Sequence, residues 1–99
     1  MNNFDEMIQG SRPTLVDFFA TWCGPCKAMA PVLEDVKSKV GDNANIVKVD
    51  IDKNEELTAK YNVRSVPTFI LFVNGEAVWR AVGMQHADTL ESKIREHVQ

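Results

Sequence analysis

Thr14-Leu15-Val16-Asp17-Phe18-Phe19-Ala20-Thr21-Trp22-Cys23-Gly24-Pro25-Cys26-Lys27 is the stretch on which the reading of this chain turns. Its first seven residues are short, rich in Val, Leu and Phe, and nearly all apolar, as expected of a strand covered on both faces in a parallel or mixed sheet. From Pro25 onward the pattern changes period. Apolar residues recur at Cys26, Met29, Ala30, Leu33, Val36 and Val40, a helical stripe that faces a core. Strand therefore passes into helix at Cys23. Pro25 suits the first helical position, where its missing N–H is no loss, and Gly41 supplies the stop. Pro31 falls inside the helix and should bend it between Lys27 and Pro31, because it removes a backbone hydrogen bond.

Working outward, Asn3 to Gln9 is a short helix candidate with Phe4, Met7 and Ile8 on one face, closed by Gly10-Ser11-Arg12-Pro13. Asn45 to Ile51 predicts a second strand. Asn54 to Tyr61 predicts a helix, with Asn54 as its cap, Glu55 and Glu56 in its first turn, and Asn62 just past its end. Thr68 to Val73 and Glu76 to Val82 flank Asn74-Gly75, the dipeptide that most favours a type I′ turn because both positions need positive φ. A last helix is expected from Ala87 to His97, where Leu90, Ile94 and Val98 repeat every four residues. The order α-β-α-β-α-β-β-α predicts an α/β fold: a four-stranded mixed sheet with helices on both faces. No repeat or Gly/Ser/Pro-rich linker divides the chain, so one domain over residues 1–99 is expected.

Composition narrows the function. The 99 residues are 44% apolar and 25% charged, enough to bury one core. A net charge of −3, with eleven scattered basic residues, gives a polyanion little to hold, which argues against nucleic acid as a partner. No window approaches eighteen consecutive apolar residues, and Met1-Asn2-Asn3-Phe4-Asp5-Glu6 has neither a basic nor an apolar leader region. The expectation is a cytoplasmic protein with no membrane partner.

The chain has two cysteines, both in one Cys-x-x-Cys, which excludes a secreted framework of several disulfides. Cys23 sits where the long helix begins, beside unpaired backbone N–H groups and the positive end of the dipole. A thiolate is favoured there, and the thiolate is the nucleophile. Cys26 lies within the first turn, points inward and is suited to resolve a mixed disulfide. A plain stabilising disulfide is the competing reading, but the chain-entropy model gives only about 2 kcal/mol for so short a loop, against ~3 kcal/mol for fifteen residues. A zinc site would need four ligands, and the only other candidates, His86 and His97, both lie in the last quarter of the chain. No metal or other cofactor is expected, and neither histidine is given a role.

Asp17 is a carboxylate in an apolar strand. Burial should raise its pKa toward the range where it can act as a base at neutral pH; otherwise it is a hydrogen-bonded residue at a strand end.

Asp17-Phe18-Phe19-Ala20-Thr21-Trp22-Cys23-Gly24-Pro25-Cys26-Lys27, with Pro31 beyond, resembles the active-site segment of the thioredoxin family. Val47-Lys48-Val49-Asp50, Arg64-Ser65-Val66-Pro67-Thr68, Phe72-Val73-Asn74-Gly75-Glu76 and Val82-Gly83 resemble its later signatures, in order and at similar spacing. The likeness runs over nearly the whole chain. It implies a thioredoxin fold and a protein disulfide reductase, in which Cys23 forms a mixed disulfide with the substrate and Cys26 resolves it. It further implies that Asp17 deprotonates the resolving thiol. Lys48 matches a Lys near that Asp, although an edge-strand Lys that deters strand pairing would explain it equally well. Pro67 resembles the family's cis-proline, which leaves the preceding backbone free to pair with an extended substrate. Trp22, Gly24, Pro25, Val66, Pro67, Gly83 and Met84 would form an apolar docking surface around Cys23; Met84 can also be read as an incidental exposed residue.

The implied partners are disulfide-containing proteins and an NADPH-dependent thioredoxin reductase, with the chain acting as a monomer. Phe19 departs from the Trp usual at its position, and the chain is too short for the family's N-terminal strand, so four strands are expected and not five. Two other activities fit the same motif frame: a dithiol oxidant or isomerase of an oxidising compartment, and a non-catalytic binding module. Gly24-Pro25 resembles reductants, and retention of both cysteines argues against the binding module.

Overall fold

The structure is a computed structural model that describes residues 3–98; Met1 and Asn2, which bear on the reading of a leader, lie outside them. Helix α1 (Asn3–Met7) leads to β1 (Thr14–Phe19), α2 (Gly24–Val40), a 3₁₀ turn (Gly41–Asn43), β2 (Asn45–Asp50), α3 (Glu55–Lys60), β3 (Thr68–Val73), β4 (Glu76–Val82) and α4 (Ala87–Arg95). The strands lie in the order β2-β1-β3-β4. β1 runs parallel to β2 and antiparallel to β3, and β3 pairs antiparallel with β4. This is the expected four-stranded mixed sheet. Among the described residues no fifth strand covers the outer edge of β2.

Alternation along β1 sorts the core into two layers. Leu15, with Phe69 and Leu71 of β3, faces Met29, Leu33, Val36 and Val40 of α2 and Leu90 and Ile94 of α4. Val16 and Phe18, with Ile70 and Phe72, face Phe4 and Ile8 at the N-terminus and Val63, with Leu57 and Tyr61 packed around them. Phe4, Tyr61 and Phe72 meet with ring centroids 5.1–6.0 Å apart. Each fully buried Phe or Leu contributes about 1.5–3 kcal/mol relative to an exposed one, so these layers hold the sheet rigid beneath the cysteines.

The ends of the elements differ from expectation in informative ways. Cys23 is itself the N-cap of α2, so Gly24 is the first helical residue and Pro25 the second. Pro25 still loses nothing there, since the first N–H groups of a helix have no internal acceptor. Helix α2 continues through Pro31 to Gly41, whose N–H donates to the Lys37 carbonyl. Asn54 precedes α3, but its side chain makes no capping bond; its Nδ2 donates 2.9 Å back to the Asp50 carbonyl. The amide closes the β2–α3 turn instead.

Asn74 (φ 53°) and Gly75 (φ 82°) have the positive φ that the hairpin reading required. The Gly75 N–H donates 2.7 Å to the Ile8 carbonyl and the Asn74 N–H 2.9 Å to that of Gly10, so the turn is tied to the segment after α1. One irregularity gave no sequence signal. Leu71 pairs with Trp79 and Phe72 with Ala77, which leaves Val78 as a bulge in β4.

Candidate active site

The end of β1 and the start of α2 bring the two cysteines together. They are joined as a disulfide with Cα atoms 5.3 Å apart. Cys23 is extended (φ −91°, ψ 112°), and its N–H donates 3.2 Å to the Ala20 carbonyl. Its sulfur takes the capping position: the Cys26 N–H donates to Cys23 Sγ at 3.1 Å. One of the orphan donors of α2 is thus satisfied by sulfur, where a cap is ordinarily a Ser, Asp or Asn oxygen. When the disulfide is reduced, that N–H and the dipole of a seventeen-residue helix are in place to stabilise a thiolate.

Opposite the sulfur, the Val66 carbonyl oxygen lies 3.7 Å from Cys23 Sγ, and the Val66–Pro67 peptide is cis. The Gly83 N–H donates 2.8 Å to the Pro67 carbonyl, which joins the Pro67 loop to the end of β4. Val82 and Met84, on either side of Gly83, are exposed, as are Gly24 and Pro25. Trp22 is 67% exposed, and its Nε1 donates 2.9 Å to Asp52 Oδ2. The cysteines themselves are 4% and 5% exposed, so in the bridged state Cys23 is as shielded as Cys26. Phe19, Ile51 and Val66 pack against the small cluster that Ala20 forms with the two cysteines.

Asp17 lies in the middle of β1 on the face covered by α2. It is 1% exposed, and neither carboxylate oxygen has a hydrogen-bond partner among the described residues. It is therefore no strand-end residue held by a partner. Burial pushes its pKa from 3.8 up to about 6, and the Lys48 ammonium offsets part of that rise. Lys48 pairs with Asp17 in the parallel register, is exposed, and holds its Nζ 4.6 Å from the centroid of the Phe19 ring. Phe19, Lys48 and Cys26, with Ala20, Thr21, Lys27 and Ala30, line a cleft of about 330 Å³. The structure thus brings Cys23, Cys26, Trp22, Val66, Pro67 and Gly83 to one end of the sheet, with Asp17 and Lys48 on the α2 side.

Two contacts were missed in the sequence. Asp52 reads there as no more than a loop residue after β2, and nothing marks it as the partner of Trp22. The Lys48–Phe19 contact depends on a parallel register that a one-dimensional pattern does not supply. His86 and His97 stand at the two ends of α4, away from the cysteines in the chain, and no group of three or more His, Cys, Asp or Glu among the described residues could hold a metal.

The thioredoxin family model matches residues 1–96. A thioredoxin of Staphylococcus saprophyticus is 48% identical over 97 residues, covering 98% of this chain and 92% of that protein. One from Alicyclobacillus acidocaldarius is 42% identical at the same coverage. Among solved structures, a mutant thioredoxin from Halobacterium salinarum superposes with a TM-score of 0.89 at 38% identity, covering 97% of this chain and 83% of that one. Thioredoxin from Nicotiana alata gives 0.87 at 38% identity, covering 98% and 83%. A helix-capping cysteine, a second cysteine one turn behind it and a facing Val66–Pro67 carbonyl are the features of a thiol–disulfide oxidoreductase. With sequence and fold matched over almost the entire chain, it belongs to the thioredoxin family.

Proposed function

We propose that Cys23 is the attacking thiol and Cys26 the resolving thiol of this protein disulfide reductase. The Cys23 thiolate attacks one sulfur of a substrate disulfide, forming a Cys23–substrate mixed disulfide and expelling the other substrate sulfur as a thiolate, which takes up a proton. Cys26 then loses its proton and attacks Cys23 Sγ. The Cys23–Cys26 disulfide forms, and the second substrate sulfur leaves as a thiolate and is protonated. Two electrons pass from the enzyme dithiol to the substrate. The observation that carries this reading is the Cys26 N–H donated to Cys23 Sγ at 3.1 Å, at the head of α2.

Asp17 is assigned as the base for the Cys26 proton: buried, unpartnered and raised to about 6, it is ionised at neutral pH yet basic enough to take a proton. Lys48, across the ladder and on the same cleft as Cys26, balances the carboxylate charge. Trp22, Gly24, Pro25, Val66, Pro67, Gly83 and Met84 form the surface on which protein substrates dock, and the Val66 backbone pairs with an extended substrate segment.

By family likeness, an NADPH-dependent thioredoxin reductase returns the electrons and the protein works as a monomer in the cytoplasm. No helix among the described residues is long and apolar enough to cross a membrane. Insulin reduction driven by dithiothreitol tests the core reading. The native chain accelerates it, and Cys23→Ser abolishes the acceleration; equal rates with and without Cys23 would overturn the assignment.

A further inference from the structure

Lys48 stands between two hollows. With Phe19, Cys26 and Lys27 it lines the cleft of about 330 Å³; with Lys53, Glu55 and Glu56 it lines a second hollow of about 620 Å³. A long flexible stem lets an exposed ammonium reach either side, and the Glu55 and Glu56 carboxylates draw it toward the second. The ion pairs among the described residues nevertheless involve Lys39, Lys60, Lys93 and Arg95, not Lys48. Its Nζ lies 4.6 Å from the centroid of the Phe19 ring.

Phe19 is placed to make that choice. It closes β1 on the face that carries Asp17, two residues earlier, and packs against the cluster of Ala20 with the two cysteines. The negative face of an aromatic ring attracts an ammonium without neutralising it, so Lys48 stays free to act on a nearby carboxylate. An ion pair with Glu55 or Glu56 would neutralise that charge elsewhere. The other titratable groups around Asp17 and Lys48 are Cys26 and Lys27 of α2, Lys53 of the turn after β2, and Asp50, which pairs with Phe19 in the ladder and whose Oδ1 accepts the Asp52 N–H at 2.9 Å.

We infer that Phe19 is a positioning residue for the resolving step: its ring face holds the Lys48 ammonium on the Cys26 side of β2, where that charge offsets the Asp17 carboxylate, and keeps it from Glu55 and Glu56. The inference rests on the reading of Asp17 as the base for the Cys26 proton. Phe19 acts through Lys48 and takes no part in the proton transfer itself. Its effect is therefore confined to the pH range in which Asp17 titrates, and it vanishes when Lys48 is absent.

Rapid mixing of reduced protein with insulin, which separates formation of the Cys23 mixed disulfide from its decay, tests this in Phe19→Leu, Phe19→Met, Phe19→Trp and Lys48→Met. Phe19→Leu keeps apolar bulk beside the cysteines and removes the ring face. At pH 5, below the titration of Asp17, decay in Phe19→Leu slows by about two- to five-fold, the worth of an exposed cation–π contact. At pH 8 it does not slow, and formation keeps its native rate at both. Phe19→Met, a second variant without a ring, behaves in the same way, whereas Phe19→Trp keeps a ring face and decays as the native chain does. Adding Phe19→Leu to Lys48→Met has no further effect. The ε-methylene protons of Lys48, shielded by the ring and identified by their loss in Lys48→Met, move downfield in Phe19→Leu. Equal slowing at pH 5 and pH 8, or a further loss on top of Lys48→Met, makes Phe19 a packing residue only and overturns the inference. Decay that slows in Asp17→Asn but stays native in Phe19→Leu and Phe19→Met at pH 5 overturns it too, and leaves the base assignment standing. Decay that Asp17→Asn leaves unchanged overturns the base assignment, and this inference with it.

Discussion

Asp17 and Lys48 stand opposite one another in the parallel β1–β2 register, on the face of the sheet that α2 covers, and only Lys48 reaches solvent. A carboxyl sealed from water and left without a hydrogen-bond donor is costly to ionise. The Lys48 ammonium reduces that cost without removing it, and the result is a group that titrates near 6. The consequences can be measured separately.

Replacing Asp17 by Asn removes the proposed base and keeps the shape. Decay of a trapped Cys23 mixed disulfide should slow by about 100-fold, the lower end of what a positioned base contributes, while the initial attack by Cys23 is spared. Rapid-mixing kinetics that resolve the two steps check this. Equal slowing of both steps would contradict the assignment.

The same residue sets a pH dependence of stability. Its folded pKa, about 6, lies above the ordinary carboxylate value of 3.8, so between these values the native state binds the proton that the unfolded chain has released. Stability must therefore fall as pH rises from about 4 to 6 and stay low above that. The shift corresponds to about 3 kcal/mol. Denaturant unfolding of the disulfide form at pH 3 and pH 8 should show Asp17→Asn gaining about that much on the native chain.

Lys48→Met removes the charge that holds Asp17 down. The pH midpoint for resolution of the mixed disulfide should then move above 6, in the alkaline direction. If Lys48 serves only to guard the open edge of β2, the midpoint stays where it is and self-association increases instead.

Gly75 has φ 82° and a close neighbour: an added Cβ would lie 3.0 Å from the Gln9 amide. Gly75→Ala combines left-handed backbone strain with that approach. It should cost about 1–2 kcal/mol and lower Tm by about 4–16 °C in a chain of this size, with reductase activity retained. A scanning calorimetry trace of the oxidised protein decides it.

Much of the fold is legible because its signals are periodic. The change from a solid apolar run at Thr14–Ala20 to the 3.6-residue stripe at Cys26–Val40 locates the cysteines at a strand–helix junction, and Asn74-Gly75 announces the hairpin. What is not legible is what depends on meetings in three dimensions. Asn54 reads as a helix cap, but tertiary closure of the β2–α3 turn draws its amide to Asp50. The bulge at Val78 follows from fitting β4 to β3, and Val78 itself is an ordinary strand residue. Asp52 meets Trp22 across thirty residues of sequence. The cysteines, Asp17 and Pro67 carry chemical signals of their own and could be picked out; Asp52 becomes visible only once the turn has folded.

Disulfide reduction by this chain depends on the ionisation of Cys23, and the most direct test is the titration of that thiol in reduced Cys26→Ser protein, followed by ultraviolet thiolate absorbance. The helix terminus and the N–H of residue 26 predict half-ionisation well below the ~8.5 of free cysteine. A midpoint at or above ~8.5 would contradict it.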